Sequence, residues 1–178
     1  MWTKVFDGPA IDLVDLLKAR ETRRLHHESL LRQYPGACLV SITLNTPGPV
    51  KDSAVLRQFF SQQVSTFLAG LNLPILDQVK LEAISGPETY LVLDQDPLKV
   101  KARTLEFEQA SPAGRLLDMD VLVLYQDLAQ PISRSDIGQN RRTCYLCGQD
   151  AKACARQQQH DLHDLRHYMA QVILQTLT

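Results

Sequence analysis

The sequence predicts an α+β fold, on three observations. Some segments repeat apolar residues at helical spacing and others alternate them, and β-branched residues concentrate in the alternating ones. The two kinds follow one another as strand, helix, strand, strand, helix, strand. Proline and glycine pairs fall between them, so the boundaries are marked as well as the elements.

The elements can be justified in order. Residues 11–33, rich in Leu, Ala, Arg, Glu and Lys, read as an additional N-terminal helix that stops before Tyr34-Pro35-Gly36. Ala37 to Leu44 reads as the first strand, ended by Thr46-Pro47-Gly48-Pro49. Asp52 or Ser53 can cap a helix whose stripe is Leu56, Phe60, Val64, Phe67 and Leu71. Val79, Leu81 and Ala83 alternate with Lys80 and Glu82 in a second strand, and Ser85-Gly86-Pro87-Glu88 turns the chain into a third, Thr89 to Leu93. Asp96-Pro97 is an N-cap with proline at the first helical position, for a helix to about Gln109. Within it, Leu105-Glu106-Phe107-Glu108 could also alternate as a strand. The last strand spans 117–124 and is expected to form a hairpin with Pro131-Ile132-Ser133. This order is the ferredoxin-like βαββαβ sandwich, preceded by the extra helix and followed by a cysteine-containing tail and a helix from His160 to Leu177.

At 178 residues the chain is expected to form a single domain over 1–178, with a core at about 35–135 and a Cys/His appendage plus helix at about 136–178. A net charge of −1 and 6% aromatic residues argue against nucleic-acid or anionic-membrane partners. With no secretory h-region after Met1-Trp2-Thr3-Lys4 and no membrane-length apolar run, the expected location is cytoplasmic. Residues 132–160 are locally basic, with Arg134, Arg141, Arg142, Lys152 and Arg156 against Asp136 and Asp150. That imbalance suits either an anionic partner or a solvated tail. His26 and His27, mid-helix among charges, are expected to be solvated.

The most informative segment for chemistry is Gly114-Arg115-Leu116-Leu117-Asp118-Met119-Asp120-Val121. Strand side chains alternate, so Met119, Val121 and Val123 face a core while Asp118 and Asp120 share the other surface. Two carboxylates this close repel unless a cation joins them, and Mg²⁺ with a phosphorylated substrate is the usual resolution. Metal-assisted phosphoryl or nucleotidyl transfer is thus the first function to consider, against a wet face with two solvated acids. Glu106 or Glu108 could add a third ligand, although on a helix both would be solvated. Arg115 stands three residues before Asp118, where it can offset polyphosphate charge or pair with an acid. The loop into the second helix offers free N–H groups near Asp52 and Ser53, with Lys51 and Arg57 as cations. Most such loops only turn the chain.

Cys144-x2-Cys147-x6-Cys154-x5-His160 supplies four ligands, the number of a closed structural zinc site, or else three reduced cysteines in a small tail. Cys38 lies in a strand and is expected to pack as a small apolar residue. His163 and His167 share a helical face. Neither a G-x-S-x-G elbow nor an HExxH motif occurs, so Ser/His/Asp hydrolysis has no support.

Six blocks, PGPVKDS at 47–53, SGPE at 85–88, GRLLDMDVL at 114–122, ISRSDIG at 132–138, RRTCYLC at 141–147 and CARQQQH at 154–160, carry a resemblance in their order and spacing. From about Leu25 to Leu165 the chain resembles the apo-citrate lyase phosphoribosyl-dephospho-CoA transferase family, also called holo-citrate-lyase acyl-carrier-protein synthases. The resemblance implies transfer of the prosthetic group from 2′-(5″-triphosphoribosyl)-3′-dephospho-CoA to a serine of the apo acyl-carrier (gamma) subunit of citrate lyase, releasing pyrophosphate. On that chemistry Asp118 and Asp120 are the expected Mg²⁺ ligands and catalytic acids. Lys51, Arg57 and Arg115 are expected on the triphosphate, assisted by the helix start at Asp52-Ser53. The Gly-Ser pair that precedes the D-x-D of the common nucleotidyltransferase fold is absent from the window before Asp118. A zinc-stabilised protein-binding module without catalysis is the rival from a different class.

Overall fold

The computed structural model describes residues 2–178, and its elements follow the chain as α1 (Leu13–Gln33), β1 (Cys38–Leu44), α2 (Ala54–Leu71), β2 (Ile75–Ala83), β3 (Gly86–Leu93), α3 (Pro97–Ala110), β4 (Leu117–Tyr125), β5 (Leu128–Pro131), α4 (Ala151–Arg156) and α5 (Leu162–Leu177). Short 3-10 turns cover Trp2–Phe6, Gly114–Leu116 and Ser135–Ile137. Side chains mark several helix starts. Asp12 accepts from the Asp15 N–H, Ser53 from Leu56 and Asp96 from Leu98, with Pro97 opening α3. Residues 105–108 continue α3, so their alternation is the amphipathic face of a helix.

The strands form one antiparallel sheet in the order β2-β3-β1-β4-β5. On one face Val40, Ile42, Leu91, Met119 and Val121 pack against Phe60, Val64 and Phe67 of α2 and Val100 of α3. On the other, Leu39, Tyr90, Val92 and Leu122 meet Leu30 and Leu31 of α1. Each fully buried aliphatic side chain contributes roughly 1.5–3 kcal/mol. A third cluster joins Val5 and Phe6 to Leu56, Phe59 and Leu116 and to Met169, Val172 and Ile173 of α5. The helix at the end of the chain is thereby pinned to α2 and to the turn at its beginning. No helix among the described residues is long and apolar enough to cross a membrane.

Differences from the sequence expectation have physical reasons. β4 and β5 turn at Gln126 and Asp127, whose φ values of 49° and 61° make a tight two-residue hairpin. Pairing therefore begins at Leu128 rather than at Pro131, and the Ile132 N–H still donates to the Val121 carbonyl at 2.8 Å. β2 starts at Ile75, beyond the alternating stretch, with an irregular register between Ile75 and Asp77. His27 is buried, not solvated, and its ring meets Tyr90 edge-on at 4.7 Å. Glu108 is buried too. β5 covers only the outer half of β4, leaving the edge near Met119 without a strand, and α3 supplies the missing partners. Glu108 accepts from the Met119 N–H at 2.9 Å and Lys101 donates to its carbonyl at 3.1 Å. Arg134 then pairs with the second Glu108 oxygen. Unpaired backbone groups are costly when buried, which explains two charged side chains inside the fold.

Candidate active site

Asp118 and Asp120 lie side by side on the α1 face of β4, opposite Thr43 and Ser41 of β1. Met119 and Val121, on the other face, are 1% and 0% exposed, whereas both acids are exposed. Arg142 holds Asp118: one guanidinium nitrogen donates to Asp118 Oδ1 at 3.0 Å, and the other to the carbonyls of Arg115 and Leu117 at 2.6 and 2.8 Å. Asp120 makes no hydrogen bond or ion pair among the described residues. Protein packed around its open surface removes water from it, and the Asp118 charge adds repulsion, so its pKa lies above the ordinary aspartate value. Lys101, Arg142 and Arg23 offset part of that rise.

The residues expected to contact phosphate are not all brought to this face. Lys51 is half-buried, donates to the Thr46 carbonyl at 2.5 Å, and titrates below the usual lysine value because of burial and then the nearby charges of Arg20 and Arg166. Ser53, 4% exposed, is committed to the Leu56 N–H and the Val5 carbonyl. Arg57 pairs with Asp52 at 2.8 Å and lies near Glu82, in a small depression on the α2 side with Phe60, Val64 and Thr89. Arg115 stands three residues before Asp118 and is half-buried, its side chain making no hydrogen bond or ion pair among the described residues. Burial and the charges of Arg142 and Arg134 lower its pKa. It opens onto a cleft of about 560 Å³ between the β1–α2 loop and the Cys/His tail.

Beneath α1, Glu88 accepts from Arg23, Ser85 and Tyr90. Burial alone would raise its pKa, but these donors bring it below the ordinary value. His27 sits against this network, and burial followed by the Arg23 charge pushes its pKa down to about 4, so the ring is neutral near pH 7.

The tail folds around its cysteines. The Gly148 N–H donates to the Cys144 carbonyl at 2.9 Å, with Gly148 at φ 73°, a left-handed turn that suits glycine. Asp150 caps α4, which carries Cys154. The ligand atoms of Cys144, Cys147, Cys154 and His160 all lie within 4.8 Å of one another, and the Cys144 and Cys154 sulfurs are 3.6 Å apart. A zinc ion bound to thiolates at about 2.3 Å needs sulfurs about 3.8 Å apart. Burial would raise the Cys144 thiol, yet the N–H groups of Cys147 and Leu146 and then the Cys154 thiol lower it to about 7. The His160 Nε2 is buried without a hydrogen-bond partner among the described residues, as expected of a nitrogen awaiting a metal. These four residues could hold a metal ion.

Sequence reasoning does not mark Arg142, Arg23 or Arg134 as site residues, and Glu108, a candidate third metal ligand by sequence, is buried and taken up by the Met119 N–H and Arg134. The one available signal was the basic excess at 132–160, because a basic segment returning past an acidic strand can pair with it. Nothing in helical periodicity marks Arg23.

A profile of the apo-citrate lyase phosphoribosyl-dephospho-CoA transferase family matches residues 11–176. A relative from Streptococcus pyogenes serotype M3, named as a probable apo-citrate lyase phosphoribosyl-dephospho-CoA transferase, is 36% identical over 169 residues, covering 94% of this chain and 88% of its own. One from Escherichia coli O6:K15:H31, carrying the name without the qualifier, is 37% identical over 163 residues, covering 90% and 87% respectively. On the matching profile and these identities, the chain belongs to the apo-citrate lyase phosphoribosyl-dephospho-CoA transferase family.

Proposed function

We propose that this transferase attaches the phosphoribosyl-dephospho-CoA group of 2′-(5″-triphosphoribosyl)-3′-dephospho-CoA to a serine of the apo acyl-carrier (gamma) subunit of citrate lyase. The serine oxygen forms a bond to the α-phosphorus of the triphosphate, the bond to the β-phosphate oxygen breaks, and pyrophosphate leaves. One observation carries the site assignment: two acids share the open face of a strand whose buried edge is fully satisfied. Asp118 and Asp120 would hold Mg²⁺, which when bound neutralises phosphate charge. Asp120 is the better placed of the two to take the serine proton, because Asp118 is held by Arg142 whereas Asp120 has no hydrogen bond or ion pair among the described residues. Arg115 and Arg142 add positive charge beside the pair, and Lys51, with Arg20 and Arg166, extends it along the β1–α2 loop. The roles of Asp52, Ser53 and Arg57 reduce in this reading to shaping the start of α2.

The Cys/His cluster is read as a closed structural zinc site, supported by its compactness and the unpartnered His160 nitrogen. All four cysteines are free, which suits a reducing cytoplasm. The core follows the ferredoxin-like plan, supported by the order β2-β3-β1-β4 and by α2 and α3 sharing one face; α1 and β5 are additions. The single-domain reading draws support from the cluster that ties α5 to α2. Family membership disfavours the non-catalytic alternative.

Pyrophosphate release is the test. It should require Mg²⁺, the apo carrier and the precursor together, and disappear in the Asp118→Asn/Asp120→Asn variant. Full release by that variant would remove the Asp pair from the chemistry. For zinc, about one equivalent should accompany the purified protein, and stripping it should lower the melting temperature; no zinc and an unchanged melt would leave free cysteines.

A further inference from the structure

The cleft onto which Arg115 opens has a composition that the transfer step alone does not call for. Its volume of about 560 Å³ lies within the roughly 300–1,000 Å³ of small-molecule sites. Its lining holds the two cations Arg115 and Arg142. Pro47, Leu162 and Leu165 add apolar surface, and Tyr145, also in the lining, stacks its ring at 4.9 Å on Tyr168. Asp161 is the sole acid of the lining among the described residues.

The arginines are in different states. Arg142 is engaged by Asp118 and two carbonyls, which ties the cleft to the acidic strand face. Arg115 is half-buried and has no acid partner among the described residues, with two other guanidiniums nearby. The Glu108 charge offsets part of this crowding but makes no ion pair with Arg115, which leaves its guanidinium available to an incoming anion. The anion must also come with apolar substance. Inorganic triphosphate gains nothing from Leu162 and Leu165, whereas a nucleoside diphosphate joined to an amide-containing arm does.

Resting on the transfer reading above, we propose that this cleft binds the dephospho-CoA portion of the precursor, with Arg115 on its 5′-diphosphate and the adenosine and first part of the pantetheine arm along Pro47, Leu162 and Leu165. Arg142 then joins two subsites: the cleft for the part of the precursor that does not react, and the Asp118–Asp120 face for the triphosphate. Binding energy from a remote group serves to position the reacting one. The tail supplies one wall through Cys144, Cys154 and His160, so its compact fold shapes a substrate site as well as stabilising itself.

The experiment is calorimetric titration of two probes, dephospho-CoA and inorganic triphosphate, into the full-length protein, its Arg115→Gln variant and its Leu162→Trp variant. Leu162 is an exposed first-turn residue of α5, so the larger ring can enter the cleft without disturbing the core, and thermal melting checks each fold. Dephospho-CoA should bind the wild type, lose about tenfold or more in affinity with Arg115→Gln, and lose a comparable factor with Leu162→Trp. Triphosphate binding should be unchanged by Leu162→Trp. Dephospho-CoA that fails to bind the wild type, or binds either variant as tightly as the wild type, overturns the inference. So does triphosphate weakened by Leu162→Trp as much as dephospho-CoA, which would make the cleft a polyphosphate site. A parallel transfer assay with the complete precursor separates the levels. Wild-type transfer with cleft-insensitive dephospho-CoA binding removes this inference alone, and absent wild-type transfer removes the reading beneath it too.

Discussion

Along the edge of β4 that faces α3, Lys101, Glu108 and Arg134 all find partners around Met119; on the face toward α1, Asp118 is held by Arg142 and Asp120 is held by nothing among the described residues. Both sets are ionisable and lie within a few residues of the same strand. The first is enclosed, so any lapse in pairing would leave a buried charge or an orphaned backbone group. The second is open to water and tolerates an incomplete set. Enclosed, satisfied groups hold β4 in place, and open, unsatisfied ones are available to a cation and a substrate. On the proposed reading one side of the strand is structural and the other carries the chemistry, and each can be broken separately.

The largest effect is expected on the open side. Asp118→Asn combined with Asp120→Asn should lower the transfer rate by about 10³-fold or more, equivalent to about 4 kcal/mol of transition-state stabilisation, with little change in melting temperature. A large drop in stability would mean that the acids are structural. On the enclosed side the prediction reverses. Glu108→Ala leaves the Met119 N–H and the Arg134 guanidinium without their partner and should cost about 3 kcal/mol in chemical denaturation. A loss below about 0.5 kcal/mol, the range of ordinary surface substitutions, would erase the distinction between the sides.

His27 tests the ground under α1 through pH. Its folded pKa of about 4 lies below the unfolded value of about 6.5, so the folded state takes up a proton less readily than the unfolded one. Its contribution to stability is fully present above pH 6.5 and is lost as pH falls toward 4. Stability should fall by roughly 3 kcal/mol across that window, and the slope should flatten in His27→Gln. Glu88, whose pKa is depressed by Arg23, Tyr90 and Ser85 against the effect of burial, adds acid sensitivity only below the ordinary carboxylate range. The upper part of the window therefore isolates the histidine. An unchanged slope in the variant would contradict the buried neutral ring. The smallest effect concerns the tie between β4 and the tail. Arg142→Gln should slow transfer by roughly tenfold, equivalent to about 1.4 kcal/mol, by releasing Asp118; an unaltered rate would make Arg142 a packing residue only.

The sequence carried the order of elements and the separation of the two faces of β4, because period-two alternation is local and Met119 and Val121 announce which face is dry. Ser53 and Asp96-Pro97 announced helix starts for the same reason: a cap acts over three residues. What stayed hidden depends on contacts distant in sequence. Arg142 reaches Asp118 from 24 residues away, and Arg23 reaches Glu88 from 65 residues away. By sequence Glu108 reads as a possible third metal ligand or, on a helix, a solvated acid, since only the short length of β5 opens the place at Met119 that it fills. His27 looked solvated because its charged neighbours in sequence hide the buried side of α1. Likewise Lys51, Arg57 and Arg115 are equal as cations in the sequence, yet the fold commits the Lys51 and Arg57 side chains to the Thr46 carbonyl and Asp52 and leaves that of Arg115 lining the cleft with no ion pair among the described residues.

The central claim, that transfer takes place on the open face of β4, is tested most directly by the mass of the carrier. Apo acyl-carrier subunit, precursor and Mg²⁺ are incubated with wild-type protein or with the Asp118→Asn/Asp120→Asn variant, both verified as folded by thermal melting. Wild type should add the mass of the phosphoribosyl-dephospho-CoA group to the carrier, and the variant should leave the carrier unmodified. A carrier modified at the wild-type rate by the variant would contradict the account.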